Sequence, residues 1–226
     1  MTGGPVAWER RPRCISILVD NPSWVMPYAE RLRDVLVEVG DDALLVRRQE
    51  DVRSGGVAFF LGCLRLTRPE ILARNFRNLV IHAGDLPRDR GFSPWTWSIL
   101  RGQNRVPVCL LEAAQAVDSG DIVYKDWIEF EGHELVDEIR ERIGKAHIDL
   151  CARFMSEPSP RPGVPQFGEP TLLRRRGPED SRIDPTLPLA EQFDLLRVVD
   201  NERYPAFFEH RGHRYVLSIR KSEPKS

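Results

Sequence analysis

The stretch Asn78-Leu-Val-Ile-His82-Ala-Gly-Asp85-Leu86-Pro87-Arg-Asp-Arg90-Gly91 decides how the rest of the chain is read. Leu79 to His82 is a short apolar run of the kind that forms a strand covered on both faces. It ends on a histidine, and a turn-rich loop from Gly84 to Gly91 follows. Upstream, Cys14 to Val19, Ala43 to Val46 and Val57 to Leu61 are similar buried-strand candidates. Between the first two, Tyr28, Leu32, Val35, Leu36 and Val39 share one helical face, with Pro22 and Pro27 near the start and Gly40 as the stop. Thr67, Pro69 and Glu70 predict a capping-box start for a helix through Ala73.

Downstream, Ser93 caps a short helix that begins at Pro94 and stops before Gly102. Val106 to Glu112 and Ile122 to Phe130 read as strands joined by a loop that holds Asp118, Ser119 and Gly120. A long amphipathic helix then places Leu135, Ile139, Ile143, Ala146, Leu150 and Phe154 along one stripe. Strands alternating with helices imply an α/β fold with an open, mostly parallel sheet. Ligands of such sheets bind at the carboxyl ends of the strands, where the strand order reverses. In that setting His82 and Asp118, carried by two loops of one sheet, can come within hydrogen-bond reach.

The chain divides into a tail (1–13), a catalytic-domain candidate (14–156), a linker (157–170) and a small C-terminal α+β module (171–226). The linker holds Pro158, Pro160, Pro162, Pro165 and Pro170 with Gly163 and Gly168. The module offers a helix over Leu189 to Val199 and a β-hairpin, Ala206 to Arg211 and Tyr215 to Arg220, turning at Gly212. With 41% hydrophobic and 30% charged residues among 226, the chain can bury a core. A net charge of −1 asks for neither nucleic acid nor an anionic membrane. No apolar run spans a bilayer or forms a signal peptide, so a cytoplasmic location is expected. Cys14, Cys63, Cys109 and Cys151 lack Cys-x-x-Cys spacing, which argues against a zinc site or a disulfide frame.

His82-x-x-x-Leu86-Pro87-x-x-Arg90-Gly91 followed by Asp118-x-Gly120-Asp121-Ile122 resembles the folate-dependent formyltransferases: methionyl-tRNA formyltransferase, glycinamide ribonucleotide formyltransferase and the sugar N-formyltransferases. The resemblance covers roughly residues 14 to 155. Arg174-Arg-Arg-Gly-Pro-Glu-Asp-Ser181 with Tyr204-Pro-Ala-Phe-Phe208 is similar to the short C-terminal module of the sugar N-formyltransferases. It implies a Rossmann-like catalytic domain, N10-formyltetrahydrofolate as co-substrate, no metal, and transfer of the formyl group to a primary amine. The family triad, an asparagine, a histidine and an aspartate, carries over onto His82 and Asp118, but Val80 stands where asparagine is expected. Asn78 lies roughly 13 Å before His82 along a regular strand and would need a bulge to reach it. Asn104, in a loop that can be aimed freely, is the substitute.

By the same resemblance the pterin slot is lined by Leu61, Gly62, Cys63 and Leu64 and by Ala116 and Val117. Gly84 and Asp85 face the amine, and Trp95 or Trp97 gives an apolar wall. Chemically, a protonated imidazole suits the developing oxyanion and Asp118 would orient it. Cys63 and Cys109 have no part in such chemistry.

The acceptor follows from charge. From Thr171 onward there are eleven basic residues against nine acidic, a thin footprint for tRNA. A nucleotide-linked amino sugar, such as a dTDP-4-amino-4,6-dideoxyhexose, is therefore the expected partner, and the module suggests a homodimer. A non-catalytic folate-binding protein, motivated by Val80, and a formyltetrahydrofolate hydrolase are the alternatives, ahead of an aminoacyl-tRNA formyltransferase.

Overall fold

The computed structural model describes Trp8 and residues 12–222; most of the expected N-terminal tail lies outside them. Six strands form one sheet: β1 (Cys14–Leu18), β2 (Asp42–Val46), β3 (Gly55–Leu61), β4 (Asn75–His82), β6 (Arg105–Glu112) and β7 (Ile122–Glu129). Their order is β2-β1-β3-β4-β6-β7. The first four are parallel, whereas β6 runs antiparallel to β4 and β7 antiparallel to β6. The chain adds β2 on one side of β1 and β3 on the other, so the order reverses at β1 and β3. The loops leaving those two strands form the crevice where an open α/β sheet receives ligands.

One face of the sheet is covered by α1 (Met26–Glu38) and α4 (Val136–Ser156). Ile15, Ile17, Phe59 and Leu79 from the strands pack there against Leu32, Leu36, Ile139, Ile143 and Phe154. Period-2 alternation along β3 sends Ala58 and Phe60 to the opposite face. There Leu18, Val46, Val52 and Ile71 complete a smaller cluster. Among the described residues, the one-turn α2 (Pro69–Leu72), a 3₁₀ turn at Gln49–Asp51 and loops lie on that second face.

Pro94 opens α3 (Pro94–Leu100), and Gly102, with φ +76°, follows its end. Ser93 occupies the cap position but makes no capping side-chain hydrogen bond. At α2 the expected capping box does not form, because Arg68 rather than Thr67 is the N-cap and the helix is a single turn.

Residues 157–170 do not hang free. Val164 exchanges backbone hydrogen bonds with Ile122 at 2.8 and 2.9 Å, and the two-residue strands β5 (Arg90–Gly91) and β8 (Leu172–Leu173) pair in parallel. The expected helix over Leu189 to Val199 is instead a 3₁₀ turn, Leu189–Gln192, followed by α5 (Phe193–Leu196). Gln192 breaks the run: its side chain accepts from Asp184 N–H and donates to the Asp184 carbonyl. β9 (Ala206–His210) and β10 (His213–Leu217) form the expected hairpin. Arg211 and Gly212 both have positive φ, the pattern of a type I′ turn. Ile183, Leu196, Val199 and Ala206 give the module its own small core.

Candidate active site

His82 ends β4 and is 6% exposed. Its Nδ1 lies 3.3 Å from Asp118 Oδ2. Its Nε2 donates to the carbonyl of Asp89 at 2.6 Å. The ring is thus hydrogen-bonded through Nε2 to the Asp89 carbonyl, with Nδ1 within ion-pair distance of the Asp118 carboxylate.

Asp118 reaches His82 by a return path. Because β6 is antiparallel to β4, it ends beside Leu79, well short of the histidine. The loop after it starts with Ala113 N–H on the Asn78 carbonyl at 2.7 Å and then folds back along the second face. Asp118 itself is left-handed, φ +47°, and its carboxylate accepts from Gly91 N–H at 2.9 Å. Glycine is required at position 120, where any side chain would strike the carbonyl of Glu112.

Gln166, from the Pro-rich segment, locks this loop. Its amide donates to the carbonyls of Asp118 and Gly120, both at 2.8 Å. Its own carbonyl accepts from Arg90 at 2.6 and 3.2 Å. One side chain therefore ties the Asp118 loop to the strand that supplies Gly91. Sequence reading gave Gln166 no role. The only signal was a polar residue with two-way hydrogen-bonding capacity inside a run of prolines.

A cavity of about 760 Å³ opens at this pair. Along one side it is lined by Phe60, Gly62, Cys63, Leu64, Val80, Leu111, Ala116 and Val117. This lobe is held by cross-links between the loops after β1 and β3. Asp20 accepts from the N–H groups of Leu64 and Arg65, and Asn21 donates to the Gly62 carbonyl at 2.8 Å. Gly62 has φ +58°, a left-handed turn open to glycine at little cost. Trp24, Trp95, Arg140, His147, Arg175, Arg176, Arg203 and Tyr204 also line the cavity.

The structure brings His82, Asp118, Gly62, Cys63, Leu64, Ala116, Val117 and Trp95 to one cavity. It does not bring Asn104 there: the Asn104 carbonyl accepts from Arg197 at 2.6 Å, and Arg197 is fully buried. A loop asparagine is aimed by whatever cation packs beside it, and here that cation is in the module. Leu61 is fully buried in the main core. Asp85 is turned to Lys125, 2.5 Å away, and to Arg88. Gly84 sits behind the imidazole, where a side chain would collide with His82 Nε2. Trp97 instead donates to the Arg174 carbonyl at 3.1 Å.

Burial pushes the Cys63 thiol up to about 12, with the Asp20 carboxylate adding to the effect. Burial likewise pushes Cys109 up to about 12. Neither is a thiolate nucleophile near neutral pH. Among the described residues no group of three or more His, Cys, Asp or Glu could hold a metal ion. No described helix is long and apolar enough to cross a membrane.

The cavity with its His–Asp pair is set in an α/β fold that solved formyltransferases share. The methionyl-tRNA formyltransferase of Clostridium thermocellum superposes with a TM-score of 0.77 at 24% identity, covering 93% of this chain and 94% of that one. A sugar N-formyltransferase from Shewanella sp. superposes at 0.67 and 14% identity, covering 94% and 99%. HypX of Aquifex aeolicus, solved with tetrahydrofolic acid, superposes at 0.70 and 18% identity, covering 91% of this chain and 37% of HypX. In sequence, the methionyl-tRNA formyltransferase of Rickettsia typhi is 34% identical over 84 residues, 37% of this chain and 28% of that protein. The matched region thus spans little more than a quarter of that relative. No family model matches the chain. At these identities the likeness shows that the chain shares the fold of solved formyltransferases.

Proposed function

We propose that this protein transfers the formyl group of N10-formyltetrahydrofolate to the primary amine of a nucleotide-linked amino sugar. The observation that carries the reading is the His82–Asp118 pair, 3.3 Å apart in the lining of the cavity. The lobe of Gly62, Cys63, Leu64 and Val117 has apolar walls and backbone polar groups, which suit a flat pterin. The volume is within the range of small-molecule sites. When bound, the folate supplies an activated formyl carbon.

The protein's part is electrostatic and positional. Nε2 of His82 is engaged by the Asp89 carbonyl, which leaves Nδ1, shared with Asp118, for the reacting groups. An imidazolium there stabilises negative charge developing on the formyl oxygen. The Asp118 carboxylate holds the ring and is placed to take the proton that the attacking amine loses, and the imidazolium would return a proton to N10 as the formyl C–N10 bond breaks and tetrahydrofolate leaves. Val80 leaves the family's asparagine donor unsupplied at its usual position. Asn104 does not replace it, being held by Arg197. That vacancy favours a second reading, a folate-binding protein without turnover.

The test is folate consumption by the purified chain. Consumption that depends on an added amino-sugar nucleotide supports transfer, consumption without amine identifies a hydrolase, and binding without consumption identifies the second reading. Formylation of aminoacyl-tRNA in place of the sugar would redirect the acceptor. The same proposal pairs two chains through the C-terminal hairpin, supported by Tyr215 at 46% and Val216 at 64% exposure. A monomeric sedimentation profile would refute that pairing.

A further inference from the structure

Among the described residues, four buried side-chain nitrogens of residues that line the cavity have no hydrogen-bond partner: Arg140 Nε, Arg176 Nε and both ring nitrogens of His147. An unpaired buried polar group is costly, so native proteins hold few of them. Gathered in the lining of one cavity, they mark groups that a ligand would satisfy.

The charges on this wall say which ligand. Arg140 is already neutralised by Asp200 at 2.8 Å. Arg175, Arg176 and Arg203 line the same cavity, and among the described residues none of the three has a carboxylate within ion-pair distance. Arg176 reaches only the Asp180 carbonyl, at 2.9 Å, and Arg203 rests 3.4 Å from the Pro22 carbonyl. Three uncompensated guanidiniums in a concave site focus the field on an anion, and their planar forks match phosphate oxygens.

His147 asks for something else. It lies on the buried face of α4, 6% exposed, with its ring 6.0 Å from that of Trp24. Burial, with a smaller contribution from His82, pushes its pKa down to about 3. The ring is neutral, with one donor and one acceptor, which is the complement of a hydroxyl rather than of an anion.

We propose that this wall is the acceptor subsite: Arg175, Arg176 and Arg203 hold the diphosphate of a nucleoside-diphosphate-linked sugar, and His147 beside Trp24 binds a hydroxyl of the sugar ring. The inference deepens the transferase reading and rests on it for the fate of the amine. It makes the C-terminal module, which supplies all three arginines, a working part of the site.

The experiment is titration calorimetry on the full chain with dTDP, UDP and inorganic pyrophosphate, with 5-formyltetrahydrofolate as the reporter of the other lobe. The wild type is expected to bind dTDP or UDP in the micromolar range. Arg176→Ala and Arg203→Ala should each weaken that binding about tenfold, with folate-analogue affinity within twofold. Arg176→Lys should recover part of the loss. The exposed Arg175→Ala provides the same comparison without disturbing packing. His147→Phe should leave dTDP affinity within threefold and raise KM for the intact amino-sugar nucleotide about tenfold. No binding of any diphosphate to the wild type at millimolar concentration overturns the subsite, as does binding indifferent to all three arginines. A tRNA transcript held by these arginines in place of the nucleoside diphosphates also overturns it. Lost diphosphate binding in the variants of a chain that never consumes folate would uphold the subsite while the transferase reading fell.

Discussion

The two lobes of the cavity are built on opposite principles. In the lobe after β1 and β3, polar side chains are spent on the protein itself: Asp20 and Asn21 cross-link the Gly62–Arg65 turn. In the lobe beside α4 and the C-terminal module, guanidiniums and an imidazole are left over. A preformed apolar slot suits an uncharged ring, and a wall of unmatched donors suits an anion. His82 and Asp118 line the same cavity as both groups, which is the arrangement the proposed transfer needs.

The largest expected effect removes the meeting point and spares both lobes. His82→Ala should lower kcat by about 10³-fold or more with folate-analogue and dTDP affinities nearly unchanged, measured by single-turnover kinetics and calorimetry. Unchanged turnover would place the chemistry elsewhere in the cavity.

The second contrast is acid sensitivity. Unfolded, His147 titrates near 6.5, and folded it is held at about 3. As pH falls below about 6.5 the unfolded chain takes up a proton that the folded chain refuses, so stability drops until the folded pKa is passed. By pH 5 this amounts to about 2 kcal/mol. His147→Leu should remove that part of the decline in denaturant titrations run between pH 7 and 5, and an unchanged slope would show that the ring is not buried as described.

A smaller effect is expected at the lock on the Asp118 loop. Gln166→Ala should cut kcat roughly tenfold with little change in folate KM, because it loosens the geometry without touching ligand. Gln166→Glu, which keeps only the acceptor toward Arg90, should not restore it. Equal losses in kcat and folate affinity would instead mean that the whole cavity had collapsed.

The smallest concerns the folate lobe alone. Gly62→Ala forces a side chain into a left-handed turn, and a Cβ there would stand 3.4 Å from Val25 and 3.5 Å from Ser23 Oγ. It should cost about 1 kcal/mol of stability. Folate-analogue binding should weaken a few-fold and diphosphate binding should not. If both ligands weaken alike, the lobes are not independent.

Much of this arrangement was legible in the chain as written. Apolar runs bounded by Gly and Pro placed the strands, because burial on both faces of a sheet demands them, and helical periodicity placed α1 and α4. His82 and Asp118 stood out because a strand-end imidazole and a turn carboxylate are residue types that chemistry uses, and loops at a sheet edge gather them. The antiparallel turn of β6 was not legible, since buried parallel and antiparallel strands share one composition. Neither was the fate of Asn104, which depends on Arg197, 93 residues away. The same holds for Gln166, His147 and Arg203, whereas the run Arg174 to Arg176 reads either as a phosphate grip or, more commonly for a charge run, as a solvated strand. Local pattern records which face of an element is apolar, and that is enough for strands and helices. What a polar side chain does depends on which partners long-range packing sets beside it or withholds from it, and only the folded chain decides that.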